Sequence, residues 1–229
     1  MPNSIELKVK FLEENKDFDI VRTNGYYVNE ENLDDCTKLF ITNEIEKTKI
    51  NIFNDLIEAK TNNWAGSYMV RTSKLFDFYK DKNIYETRYG QNLQILIPLA
   101  YKGKSGFIDK PLMKYIKQPL SLSQLNGDIN KEIQNLLGYK DIREYMVKIL
   151  LSGDEQKKYL NLIEETYERT FMNLAFYYND QKLMKDSFKR LKSYEKDTIE
   201  DRILYYNTKN KAIGFFYRSL RKLFRGKIR

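Results

Sequence analysis

Near residue 125 the hydrophobic pattern changes period, and this change constrains the fold more than any other feature of the chain. Before it, short apolar runs alternate with helical segments; after it only helical spacing remains. Residues 2–15 read as a helix with Ile5, Val9 and Leu12 on one face. Residues 17–22 read as a short strand, Asn24-Gly25 as a turn, and residues 26–28 as a second strand. A helix is expected over residues 43–60, with Asn43 as its N-cap and Glu46 three residues on, as in a capping box. Its apolar face would be Ile45, Ile52, Phe53, Leu56 and Ile57. Residues 64–70 read as a buried strand, followed by a short helix to about residue 79. Gly90 precedes an apolar helix carrying Leu93, Leu96, Ile97 and Leu99. After breaks at Gly103 and Gly106, residues 107–108 and 112–116 read as two more short strands. Such alternation predicts an α/β layer rather than a bundle.

From Leu125 on, Leu160, Ile163, Tyr167, Phe171, Leu174 and Tyr178 keep helical spacing, as do Met184, Phe188 and Leu191. Asn179-Asp180 divides these two runs into a helical hairpin. Residues 1–124 are therefore expected to form an α/β domain and residues 125–229 a helical one.

A chain of 229 residues buries a core without disulfides or a structural metal. The absence of histidine excludes a His-based triad, a His general base and every His-containing zinc site. Cys36 is the only cysteine, so no internal disulfide forms, and no His is available to activate it. No run of about 18 apolar residues occurs, and no secretory signal is evident, so a cytoplasmic location is expected.

The net charge of +8 is unevenly placed. Residues 203–229 carry eight Lys or Arg and no acid; the remaining 32 basic residues balance the 32 acidic ones. A neutral body with a basic end argues against a nucleic-acid binder and for an acidic surface met by that end. If residues 212–225 are helical, Ile213, Phe216, Tyr217, Leu220, Leu223 and Phe224 share a face, with Arg218, Arg221, Lys222 and Arg225 on the other side. Residues 212–229 are then either an anchor to an anionic membrane surface or a last helix packed on its own domain.

The densest polar cluster is Glu86-Thr-Arg-Tyr-Gly-Gln-Asn-Leu-Gln, which places Glu86, Arg88, Gln91, Asn92 and Gln94 at a loop-to-helix junction. Amides that begin a buried helix must find partners, either backbone or ligand. Both readings stay open from composition alone. Trp64 is either a core aromatic or a stacking surface for a sugar ring; Arg71 is either a salt-bridge partner or a phosphate contact.

Residues 88–98, Arg-Tyr-Gly-Gln-Asn-Leu-Gln-Ile-Leu-Ile-Pro, resemble a signature of bacterial family-2 glycosyltransferases of the GT-A fold. Leu12-Glu-Glu-Asn-Lys-Asp-Phe-Asp-Ile-Val resembles the helix and strand that follow the metal-binding Asp-x-Asp of that family. Ser67-Tyr-Met-Val-Arg-Thr resembles the acceptor-side strand and turn, and Phe107-Ile-Asp-Lys-Pro-Leu-Met-Lys-Tyr the paired strands beyond. Ser121-Leu-Ser stands where the family has a polar loop, so the likeness spans about residues 2–124.

The resemblance implies the acceptor-side part of a GT-A-like mixed sheet followed by an all-helical C-terminal region. It implies transfer of sugar from a nucleotide-sugar to a glycan or lipid-linked acceptor in bacterial surface polysaccharide synthesis. Asn92, Gln91 and Glu86 would be the catalytic candidates, and Trp64, Arg71, Arg88 and Gln94 would bind substrate. The complete family enzyme uses Mn or Mg held by Asp-x-Asp. This chain starts just after that point, so no metal is expected on it and it should transfer no sugar alone. Many relatives carry Glu-Asp where this chain has Gln91-Asn92, and an amide orients a hydroxyl but does not take its proton. Glu86 or Asp109 would have to substitute, and the third metal ligand, often a histidine, would fall near Gln124. The alternative is a non-enzymatic module docking to a membrane or another subunit. Self-association, and a peripheral position on the inner face of the membrane, are further expectations of these readings.

Overall fold

The computed structural model describes residues 1–61, 64–90, 92–117 and 128–209. It is mixed α/β, with one four-stranded mixed sheet and a helical C-terminal region. The chain forms two compact units, Met1–Gly127 with Gly138–Gln156, and Asp128–Leu137 with Lys157–Arg229.

In the first unit, α1 (Ser4–Glu14) leads into β1 (Ile20–Asn29), the central strand. β4 (Ser105–Lys117) runs parallel to β1 along one edge, from Ile20↔Ser105 to Asn29↔Lys117. The other edge of β1 carries two antiparallel strands, β3 (Tyr68–Val70) at Ile20–Arg22 and β2 (Lys38–Leu39) at Tyr26–Tyr27. α2 (Glu44–Thr48), α3 (Phe53–Ile57), α4 (Thr72–Phe78) and α5 (Leu93–Lys102) complete the unit, and α5 packs on α3, α4 and β1. Ile20, Val21, Ile57, Leu96 and Ile97 are fully buried.

Several local expectations are corrected. Asn24-Gly25 is not a turn, because β1 runs straight through it. The register with β4 shifts there instead, with Asn24 opposite Pro111. Asn24 satisfies the irregular backbone itself. Its Nδ2 donates to Ile41 O (2.8 Å) and Asp109 Oδ1 (3.1 Å), and its Oδ1 accepts from Ile41 N and Gly25 N (3.1 Å each). Glycine is needed at 25 because a Cβ would lie 2.3 Å from the Phe40 ring and 2.8 Å from Met113 O. β4 is likewise one strand where two were expected, with Pro111 at the irregularity that a missing N–H tolerates.

The helix expected over 43–60 is two short ones. Asn43 caps α2 by accepting from Ile45 N, but the buried Arg22 then takes the carbonyls of Glu46 and Lys49 (3.3 Å each). Ile50 O accepts from Ser105 N, and Asn51 Oδ1 accepts from Phe53 N to start α3. Ile45 is left exposed while Ile52, Phe53, Leu56 and Ile57 are buried. The inward face of α1 is also different. Ile5 and Val9 are exposed, and Lys8 turns inward with Leu12, its ammonium donating to Ser4 Oγ and Gly66 O.

The helical region comprises α6 (Ile129–Leu150), α7 (Gly153–Tyr178), α8 (Gln181–Ser193) and α9 (Ile199–Lys209). The α7–α8 hairpin turns where expected. Asn179 is left-handed (φ 58°), and Asp180 caps α8 through Leu183 N at 2.9 Å. Met172, Ala175, Phe176, Met184, Phe188, Leu191 and Leu204 form the core that joins α7, α8 and α9.

Candidate functional site

The loop before α5 and the first turn of that helix form a pocket of about 490 Å³, lined by residues 82–87 and Gln94. Gly90 adopts φ +51°, and an added Cβ would lie 3.0 Å from both Leu93 and Tyr139 side-chain carbons, so the entry into α5 requires glycine. Leu93 N donates to Gly90 O and Leu96 N to Asn92 O, which starts the helix. The apolar residues after it pull the turn, and Gln94 with it, into the protein.

Gln94 is only 3% exposed. Its Nε2 donates to Tyr85 O at 3.1 Å. Its Oε1 is buried without a hydrogen-bond partner among the described residues. Exchanging the amide atoms would set a carbonyl against the Tyr85 carbonyl, so the open group is an acceptor that calls for a donor. The backbone around it is well supported. Pro98 has no N–H to give the Gln94 carbonyl, and the Tyr79 hydroxyl donates there instead, at 2.8 Å. Burial pushes Tyr79 up to about 12, so it remains a donor across the physiological range. On the loop side, the Tyr85 ring stacks on Tyr145 at 4.1 Å between centroids.

The candidates taken from the sequence fall into several environments. Glu86 and Gln94 line the same pocket; Glu86 is exposed there. Asn92 is half-buried, and its Oδ1 accepts from the Tyr68 hydroxyl at 2.9 Å, a phenol that burial raises to about 12. Arg88 is exposed. Arg71 is occupied by the end of α1: its guanidinium donates to the carbonyls of Phe18 (2.8 Å), Asn15 (3.1 Å) and Leu12. Gln91, Gln124 and the whole of 212–229 lie outside the described residues.

Trp64 belongs to a different cluster. Its Nε1 donates to Tyr27 OH at 3.1 Å, and its ring lies 4.6 Å from Tyr115 and 6.4 Å from Phe40. Tyr27 and Tyr115 are directly paired across β1 and β4, so these rings gather near the carboxyl ends of the two parallel strands. Ligands of α/β sheets commonly sit outside such ends. Lys117 places its ammonium 4.9 Å from the Tyr27 ring.

Asp109 is engaged by its neighbours. It accepts from Lys47 at 2.7 Å and from Asn24, and these bonds hold its carboxyl below the usual range. No three of His, Cys, Asp and Glu come together as metal ligands among the described residues. Asp17 pairs with Lys104, and Asp34 is exposed beside Lys114. The described residues thus offer no such cluster for the divalent cation that the family resemblance implies for the complete enzyme.

Tyr68, Tyr79 and Tyr85 escaped the sequence reading. A signal that could have found Tyr79 is Pro98, which leaves the carbonyl of residue 94 without its helical donor. No protein-family model matches the chain, and no curated protein or solved structure matches it significantly.

Proposed function

We propose that this chain is the acceptor-binding part of a family-2 glycosyltransferase, and that the pocket floored by Gln94 takes a hydroxyl of the acceptor glycan. The observation that carries this reading is the buried Gln94 Oε1, unpartnered among the described residues, whose orientation is fixed by the bond of its amide to Tyr85 O. A sugar hydroxyl is a donor of the right size, and a pocket of about 490 Å³ admits a saccharide unit. Glu86, in the same lining, supplies the carboxylate that removal of the hydroxyl proton would require. Asn92, held by Tyr68, positions the junction from which the pocket is built. The order of the resembling segments, from α1 through β1, β3 and α5 to β4, supports the family reading.

The test is saccharide binding by the whole chain, followed by saturation-transfer NMR against a panel of bacterial oligosaccharides. The expected result is binding of at least one glycan, lost in Gln94→Leu and weakened in Glu86→Gln. Because Glu86 is exposed, its variant folds normally and separates a binding defect from a folding one. No glycan binding by the wild-type chain, or equal binding by both variants, ends the proposal.

A further inference from the structure

Helix α9 presents an apolar stripe to the outside. Ile199, Ile203 and Tyr206 are 75%, 46% and 61% exposed, and their spacing puts them on one line. The opposite side of the helix is the buried one, carrying Leu204, Thr208 and Asp201. Asp201 is turned inward, where Arg169 Nε meets its carboxylate at 3.1 Å and Thr198 N donates to it at 2.9 Å. One flank of the stripe holds Arg202 and Lys209, and the other holds Asn207 and the exposed Glu200. Arg202 is paired with Asp197 at 2.7 Å, and Lys209 lies over the rings of Tyr205 and Tyr206, at 4.6 and 5.5 Å. The sequence from Ile203 to the last residue, Arg229, contains eight basic residues and no acid.

We infer that the Ile199–Ile203–Tyr206 stripe of α9 seats this protein on an anionic lipid surface. Exposed isoleucines beside a tyrosine suit the boundary between headgroups and acyl chains, where a phenol keeps its hydroxyl wet while its ring is buried. A lysine lying along the ring is placed to extend its ammonium to lipid phosphates. Each Lys or Arg held near such a surface strengthens the attraction to it. A protein partner would have to supply an acidic apolar groove to match both properties; an anionic bilayer supplies them over any area. No helix among the described residues is long and apolar enough to cross a membrane, so the contact is one of lying on the surface.

The test uses the full chain and flotation with vesicles of phosphatidylcholine, with or without about 30 mol% phosphatidylglycerol. The wild type is expected to float with the anionic vesicles and not with the neutral ones. The triple variant Ile199→Ser, Ile203→Ser, Tyr206→Ser should partition at least about tenfold more weakly, since most of the apolar contact is gone. A control variant, Ile5→Ser with Val9→Ser, changes two exposed apolar residues on α1 and should float like the wild type. Unchanged melting curves establish that the variants are folded. Failure of the wild type to float, flotation of the triple variant at the wild-type level, or equal loss in the α1 control each overturns the inference. So does tighter binding to single-stranded RNA that the triple substitution leaves untouched.

Discussion

Pro98 deprives the Gln94 carbonyl of its helical donor, and Tyr79 replaces it. Replacing Tyr79 by Phe keeps the ring but leaves that buried carbonyl unsatisfied, so the variant should lose about 1–3 kcal/mol in urea unfolding at neutral pH. The same hydroxyl governs alkaline behaviour. Burial raises Tyr79 and Tyr68 to about 12 from an unfolded value of 10.0. Between these values the unfolded chain gives up phenolic protons that the folded chain keeps. Stability is therefore full below pH 10 and falls as pH climbs toward 12. Unfolding midpoints measured between pH 8 and about 11.5 should show this decline, and it should be shallower in Tyr79→Phe. At this scale the sequence exposed part of the site. Of the cluster at residues 86–94, Glu86, Thr87 and Gln94 line a pocket whose other walls are residues 82–85, because an amide beside an apolar helix face is carried inward with its neighbours. Arg71 was legible only as a charge; that it would cap α1 depends on a contact 56 residues distant in the chain, with Asn15, that no local pattern encodes. Lys8 likewise reads as solvent-facing until Gly66 O is brought over it.

Helices whose ends are set by their own residues were legible, and those ended by distant groups were not. Asn179 and Asp180, two adjacent residues, define the α7–α8 turn, and the hairpin follows. Asp180→Ala should cost about 1 kcal/mol, as loss of an N-cap acceptor does, and can be read from thermal melts. The 43–60 helix carries equally good signals at its start, but its continuation requires the carbonyls that Arg22 and Ser105 take away. Asn24-Gly25 shows the same competition in a strand. The dipeptide that favours a tight turn instead fits a strand irregularity, since Asn24 meets four polar partners there and Gly25 lets the Phe40 ring approach. Gly25→Ala should therefore destabilise the chain by about 1–3 kcal/mol, because the Met113 carbonyl near the added methyl is backbone and yields little. Urea midpoints of the variant and the wild type measure this loss.

Charge distribution separates two contributions to the lipid contact at the level of the whole chain. A protein ending at Lys209 keeps every described helix and loses seven basic residues from 211 to 229, which leaves 33 Lys and Arg against 32 acids. Its net charge drops from +8 to +1. Electrostatic attraction to anionic lipid is screened as the Debye length contracts from about 10 Å at 0.1 M salt to about 3 Å at 1 M. Apolar burial of Ile199, Ile203 and Tyr206 is not screened. The intact chain should thus float less well as salt rises, while the shortened chain should bind more weakly at low salt and change little with added salt. Measured side by side, the two curves should converge at high salt on the contribution of the α9 stripe. If the shortened chain retains the full salt response, the attraction comes from basic residues in the body, and the neutral balance of 32 against 32 over residues 1–202 would be a poor guide to where the surface potential lies.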